Sequence, residues 1–123
     1  MPATISFIST MDHDAGSGRD NRVELYQLME APGSTDAIRL QGDVVVQLSG
    51  TATAIEAWVE HATRDPASAE ANWAPAEDDA FLGDLSAGIA PRPYIEPATG
   101  FWRVRVVSIS GGNCKVSIVG ERT

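Results

Sequence analysis

Hydrophobic and polar positions alternate with a period of two along much of this chain, and that period predicts strands. Between Arg22 and Glu30, Val23, Leu25 and Gln27 fall on one side, with Glu24, Tyr26 and Leu28 on the other. Shorter β-compatible runs cover Ile5 to Ser9, Ala37 to Leu40 and Val44 to Leu48. Gln41-Gly42-Asp43 predicts a tight hairpin connection between the last two. The clearest signal lies near the end. Phe101 to Ile109 (FWRVRVVSI), a Ser110-Gly111-Gly112-Asn113 turn and Cys114 to Val119 (CKVSIV) read as an antiparallel hairpin. Trp102, Val104 and Val106 share one face of its first strand and are expected to meet Val116 and Ile118 in the core. The opposite face carries Phe101, Arg103, Arg105 and Val107.

Thr53 to Thr63 (TAIEAWVEHAT) fits two templates. As a helix, Thr53 and Glu56 have the spacing of a capping box, and Ile55, Trp58, Val59 and Ala62 share a face. As a strand, Thr53, Ile55, Ala57, Val59 and His61 alternate against Glu56, Trp58 and Glu60. Ala and Glu favour the helix, whereas the flanking strands and turn signals favour the strand. A short helix near 54–63 stays open.

Ala31-Pro32-Gly33-Ser34 and Ser49-Gly50-Thr51 punctuate the strands, and Met11 to Asn21 reads as a polar loop or arm. Residues 65–100 are rich in Pro, Ala, Asp and Gly and predict one long irregular loop. Spaced anchors within it (Trp73, Phe81, Leu82, Leu85, Ile89, Tyr94, Ile95) suggest that it packs onto the body. The resulting expectation is an all-β fold, a small antiparallel β-sandwich of immunoglobulin-like or jelly-roll-like kind. Residues 1–21 form an N-terminal arm with a short strand, and 22–123 a single domain with the long loop 65–100.

Composition narrows the class. At 123 residues, 43% hydrophobic and 21% charged, the chain is one domain's worth of ordinary globular sequence. It has no apolar run of membrane-helix length, and its first residues lack the pattern of a signal peptide. The single cysteine, Cys114, excludes an internal disulfide framework. A net charge of −8 disfavours nucleic acid as a partner. Asp65, Glu70, Glu77, Asp78, Asp79 and Asp84 lie in a stretch without Lys or Arg. From Phe101 onward, Arg103, Arg105, Lys115 and Arg122 face only Glu121. Two such patches could be complementary in an assembly, since charge steers and registers partners.

Candidate chemistry is sparse. Asp12-His13-Asp14 and Asp20 suggest a cation loop, but Gly16 and Val23 stand where the EF-hand order needs ligands. Neither His13 nor His61 accompanies a nucleophile in a catalytic motif, and no phosphate-cradling glycine loop occurs. No catalytic, metal or cofactor-binding residue is therefore assigned, and a non-enzyme is expected. Trp58, Trp73, Trp102, Tyr26, Tyr94 and Phe101 read as core and loop anchors, with sugar stacking on Trp58, Trp73 or Tyr94 as the alternative. The candidate partner interface comprises Trp73, Phe81, Leu85 and Tyr94 of the long loop together with Arg103 and Arg105.

From Val44 to Val119 the order of motifs resembles a known group. A strand pair (VVVQLSGTATAIEAWVEHAT) leads to Asp65-Pro66 and Trp73-Ala74-Pro75. A glycine-punctuated loop, a W-R-V-R-V strand, a Ser110-Gly111-Gly112 turn and a closing K-V-S-I-V-G strand follow. This resembles the small β-sandwich virion proteins of tailed bacteriophages, the head decoration proteins and head or tail accessory modules. The resemblance implies a non-catalytic structural protein binding capsid, connector or tail proteins, as a homo-oligomer or multi-copy assembly. It implies a place in the virion, and in the cytoplasm of the bacterial host during assembly. It implies no cofactor, nucleic acid or membrane.

Overall fold

A computed structural model describes residues 6–10, 22–63 and 73–122. They form nine strands: β1 (Ser6–Thr10), β2 (Arg22–Met29), β3 (Gly33–Ser34), β4 (Ile38–Gly50), β5 (Ala54–Ala62), β6 (Ala74–Pro75), β7 (Phe81–Gly83), β8 (Arg92–Ser110) and β9 (Cys114–Arg122). One 3-10 turn, Leu85–Ala87, follows β7. Every strand pairing is antiparallel, in the order β1-β2-β9-β4-β8-β5-β6, with β3 beside β8 and β7 beside β5. The all-β expectation holds, and the ambiguous Thr53–Thr63 stretch is strand over Ala54–Ala62.

The register requires this sheet to double over. Ile38 of β4 pairs with Trp102 of β8, and the two strands run apart from there, twelve residues to Gly50 and eight to Ser110. On a flat sheet, at about 3.3 Å per residue, those ends would stand roughly 60 Å apart. Instead the Thr53 N–H donates to the Ser110 carbonyl at 3.0 Å, and the Thr51 N–H to the Asn113 carbonyl at 3.1 Å. Next to the point where β8 passes from β4 to β5, at Phe101, the β4–β8 ladder is broken: Leu40 pairs with Gly100 but Gly42 pairs with Glu96. Gly42 takes φ +69, a left-handed conformation that side chains resist, and an added Cβ would collide with the Glu121 carboxylate.

Doubling over lets one face of one sheet enclose its own core. Val23, Leu25 and Met29 of β2, Leu40, Val44, Val46 and Leu48 of β4, and Val116 and Ile118 of β9 meet Ile55, Ala57 and Val59 of β5 and Trp102, Val104 and Val106 of β8 in a single cluster. Phe81 and Leu85 plug it between β5 and the β4–β5 connection, where the Leu85 N–H donates to the Ala52 carbonyl at 2.9 Å. The expected faces of β8 hold as far as Val106. There a bulge leaves Val107 without a partner on β5, so Ile109, not Ser108, turns back toward the core.

Three local expectations are corrected. Gln41-Gly42-Asp43 is no hairpin: both flanks belong to β4 and pair with the same two neighbours, so Gly42 absorbs a bulge. Nor do β8 and β9 pair as a hairpin, because β4 lies between them. The Ser110–Asn113 turn instead carries the chain across the doubled sheet, past the β4–β5 connection that crosses at the same end. Asn113 fastens the two: its backbone N–H donates to Thr51 Oγ1 at 3.1 Å, and its side-chain oxygen accepts from the Thr51 N–H at 3.2 Å. Finally, the irregular loop ends at Arg92, where β8 begins, although Pro93 and Pro97 lie within that strand. This half of β8 pairs with β4 alone among the described strands, and prolines are tolerated where one strand edge needs no donors. Residues 11–21 and 64–72, expected as an arm and the start of the long loop, lie outside the described residues.

Trp102 is 1% exposed at the centre of the core. Trp102→Ala is expected to cost roughly 3–5 kcal/mol in urea unfolding, the range for emptying a packed aromatic site. Gly112 takes φ +151, and a Cβ there would lie 2.6 Å from the Thr51 carbonyl carbon, a backbone atom that cannot step aside. Gly112→Ala is expected to lose about 2 kcal/mol in the same measurement, with the denaturant slope unchanged.

Candidate interaction surface

The outward face of the β5–β8 pair gathers the features a binding surface needs. Alternation on β5 points Glu56, Trp58 and Glu60 outward, and alternation on β8 does the same for Arg103 and Arg105. Antiparallel register then sets Trp58 opposite Arg105 and Glu60 opposite Arg103. Glu60 is the hub. Its side chain is only 6% exposed, its Oε1 accepts from Arg103 Nε at 2.8 Å, and its Oε2 accepts from Arg105 Nε at 3.0 Å. A carboxylate can be buried on an outer face because two guanidinium groups cover and neutralise it.

Aromatic rings flank this triad. Trp73, just before β6, lies under the Arg103 guanidinium with 4.2 Å from cation to ring centre. Trp58 is half-buried, and its indole N–H donates to Glu56 Oε2 at 3.4 Å. Thus Trp73, Arg103 and Arg105 of the expected interface come together. The alternating acids of β5 facing the alternating arginines of β8 were the sequence signal for Glu60, visible only once those strands are paired.

Phe81, Leu85 and Tyr94 do not join them. Phe81 is fully buried and Leu85 and Tyr94 nearly so, which makes all three core residues of this chain and not interface anchors. Arg92 explains why. Its guanidinium stacks 4.1 Å above the Phe81 ring and donates to the Glu77 carboxylate and to the Asp79 and Ala80 carbonyls, each at 2.9 Å. It therefore ties the segment before β7 down onto the body. The Tyr94 hydroxyl donates to the same Glu77 oxygen at 2.8 Å. The acidic stretch is accordingly not unopposed: Glu77 is neutralised from Arg92, which lies beyond the stretch. Asp84 spends its side chain capping the 3-10 turn at the Ser86 N–H, and the Ser86 hydrogen bonds hold its carboxyl below the usual range. Asp65 and Glu70 lie outside the described residues.

Among the described residues no group of three or more His, Cys, Asp or Glu side chains converges to hold a metal ion. Asp12, His13, Asp14 and Asp20 lie outside them. His61 stacks on Trp102, with ring centres 5.5 Å apart, and Trp102 on Tyr94 at 5.6 Å. Cys114 is buried, and burial pushes its thiol up to about 12. Burial, reinforced by the Glu77 carboxylate, likewise raises the Tyr94 phenol.

Both are acids held protonated by the fold, so the folded chain keeps protons that the unfolded chain releases. The Cys114 contribution to stability is complete below the ordinary thiol value of 9.0 and is lost as pH climbs from there toward about 12. That of Tyr94 is complete below the ordinary phenol value of 10.0 and is lost as pH climbs above it. Melting temperatures are expected to be flat through neutral pH and to fall progressively above about 9, with Cys114→Ala flattening the first part of that fall. A wild-type melting temperature that stays level throughout the alkaline range would contradict this assignment. Comparison with known proteins adds no constraint: no family model, curated protein or solved structure matches the chain, and the functional reading rests on the surface itself.

Proposed function

We propose that this chain is a non-catalytic binding module of a tailed-bacteriophage virion, held in many copies on capsid, connector or tail proteins through its outward β5–β8 face. The observation that carries the reading is the Trp73–Arg103–Glu60–Arg105 cluster. Trp and Arg are the residue types that most often dominate interface energetics, and here their side chains are fixed before any partner arrives. The W-R-V-R-V strand that carries the resemblance to virion modules supplies both arginines of this cluster. A sugar-stacking face has less support. Tyr94 is buried with its hydroxyl engaged, and one side of the Trp73 ring is covered by Arg103.

The reading predicts that mass spectrometry of purified particles from the source finds this chain at high copy number. It also predicts that recombinant chain rebinds particles stripped of it. Trp73→Ala is expected to weaken that rebinding about thirtyfold while leaving the melting temperature close to wild type, the size of one hot-spot truncation. Absence from particles, together with glycan binding that Trp73→Ala abolishes, would replace the virion reading with the carbohydrate one.

A further inference from the structure

We infer that Arg103 and Arg105 form a preorganised oxyanion site that takes a carboxylate side chain from an acidic segment of the partner protein, an inference that rests on the binding-module reading above. Each guanidinium spends its Nε–H on Glu60, and neither Nη group hydrogen-bonds to a described residue. One buried carboxylate thus converges two guanidinium groups from alternate positions of a single strand. Their Nη edges are left for a ligand from outside. Arg105 is the more open of the two, its side chain 42% exposed against 23% for Arg103.

Charge and rigidity fit the same ligand. Two arginines against one glutamate leave the triad with one net positive charge, which an incoming carboxylate would complete. Glu60 pins Arg103 from one side and the Trp73 ring covers its plane, so little side-chain freedom is lost when a ligand binds. Arg matches carboxylates through paired N–H donors, the geometry of strong charge-assisted bonds.

The partner's chemistry follows from the rest of the molecule. A nucleic acid presents a line of phosphates and would meet the whole net charge of −8, which repels it. A carboxylate set between apolar residues meets mainly the local positive charge, and charges beyond about 10 Å are screened at physiological salt. Trp73 and Trp58 lie beside the two arginines and offer the apolar contact that residues flanking the carboxylate would use.

The test is an NMR titration of the intact chain, following the Trp58 and Trp73 indole N–H and the Arg103 and Arg105 Nε–H resonances. The probes are a capped Leu-Glu-Glu-Leu peptide, its Leu-Gln-Gln-Leu counterpart and inorganic phosphate. The acidic peptide is expected to shift these four resonances saturably, to bind more tightly than phosphate and to weaken with added salt, while the glutamine peptide leaves them in place. Arg105→Gln keeps the Arg103–Glu60 pair and therefore the fold, and is expected to weaken peptide binding at least about tenfold. Equal shifts with both peptides, tighter binding of phosphate, no shift at millimolar peptide, or an unchanged affinity in Arg105→Gln would each overturn the site. If the chain is abundant in particles and yet indifferent to the acidic peptide, this inference fails while the binding-module reading stands.

Discussion

The clasp between Thr51 and Asn113 is the contact on which the architecture depends. It holds together two connections that leave the sheet at one end and pass each other, one from β4 to β5 and one from β8 to β9. Without that meeting, β4 and β8 would be a long extended pair with one apolar face open to water. With it, the apolar face closes on itself, and Trp102, Val104 and Val106 find Val116 and Ile118 although β8 and β9 share no ladder. The contact is small in energy, a handful of hydrogen bonds each contributing about 1 kcal/mol. Its importance is geometric, since it fixes where the doubled sheet ends.

The outward face is positioned by the same closure. Because β8 leaves β4 near Trp102 and takes up β5, Arg103 and Arg105 come opposite Trp58 and Glu60. The two faces of β8 therefore do different work at adjacent residues. Trp102 and Val104 fill the core, while Arg103 between them is drawn down onto Glu60 and stacked on Trp73. Arg92, on the other half of the same strand, performs the parallel task at the edge by fixing the segment before β7. One long strand thus organises the core, the edge and the exposed face.

What could be read from the sequence was whatever depends on neighbours in the chain. Period-two alternation identified β2, the faces of β8 around Trp102 and the i, i+2 arginine pair, because strand geometry alone decides those. Turn residues marked where the chain changes direction, and they did so correctly at Gly111 and Gly112. They carry no information about which strand the chain turns toward, and so a crossing connection was read as a hairpin. Glu60 as the partner of Arg103 was hidden for the same reason, since 43 residues separate them. Prolines misled in the opposite sense: Pro93 suggested a loop because the sequence does not show that this part of β8 has β4 as its one neighbour among the described strands.

The position of β9 bears on how the chain acquires its structure. β2 and β4 are near one another in sequence, yet β9 separates them, so the strand furthest along the chain among those described is an interior one. A nascent chain that has not reached Cys114 carries β2 and β4 with matching edges unsatisfied and Leu25, Val46 and Leu48 uncovered. Such a chain has few local contacts to fold around, and its unpaired edges invite the wrong strand. The core can close only once β9 is available to enter between β2 and β4 and the two crossing connections meet.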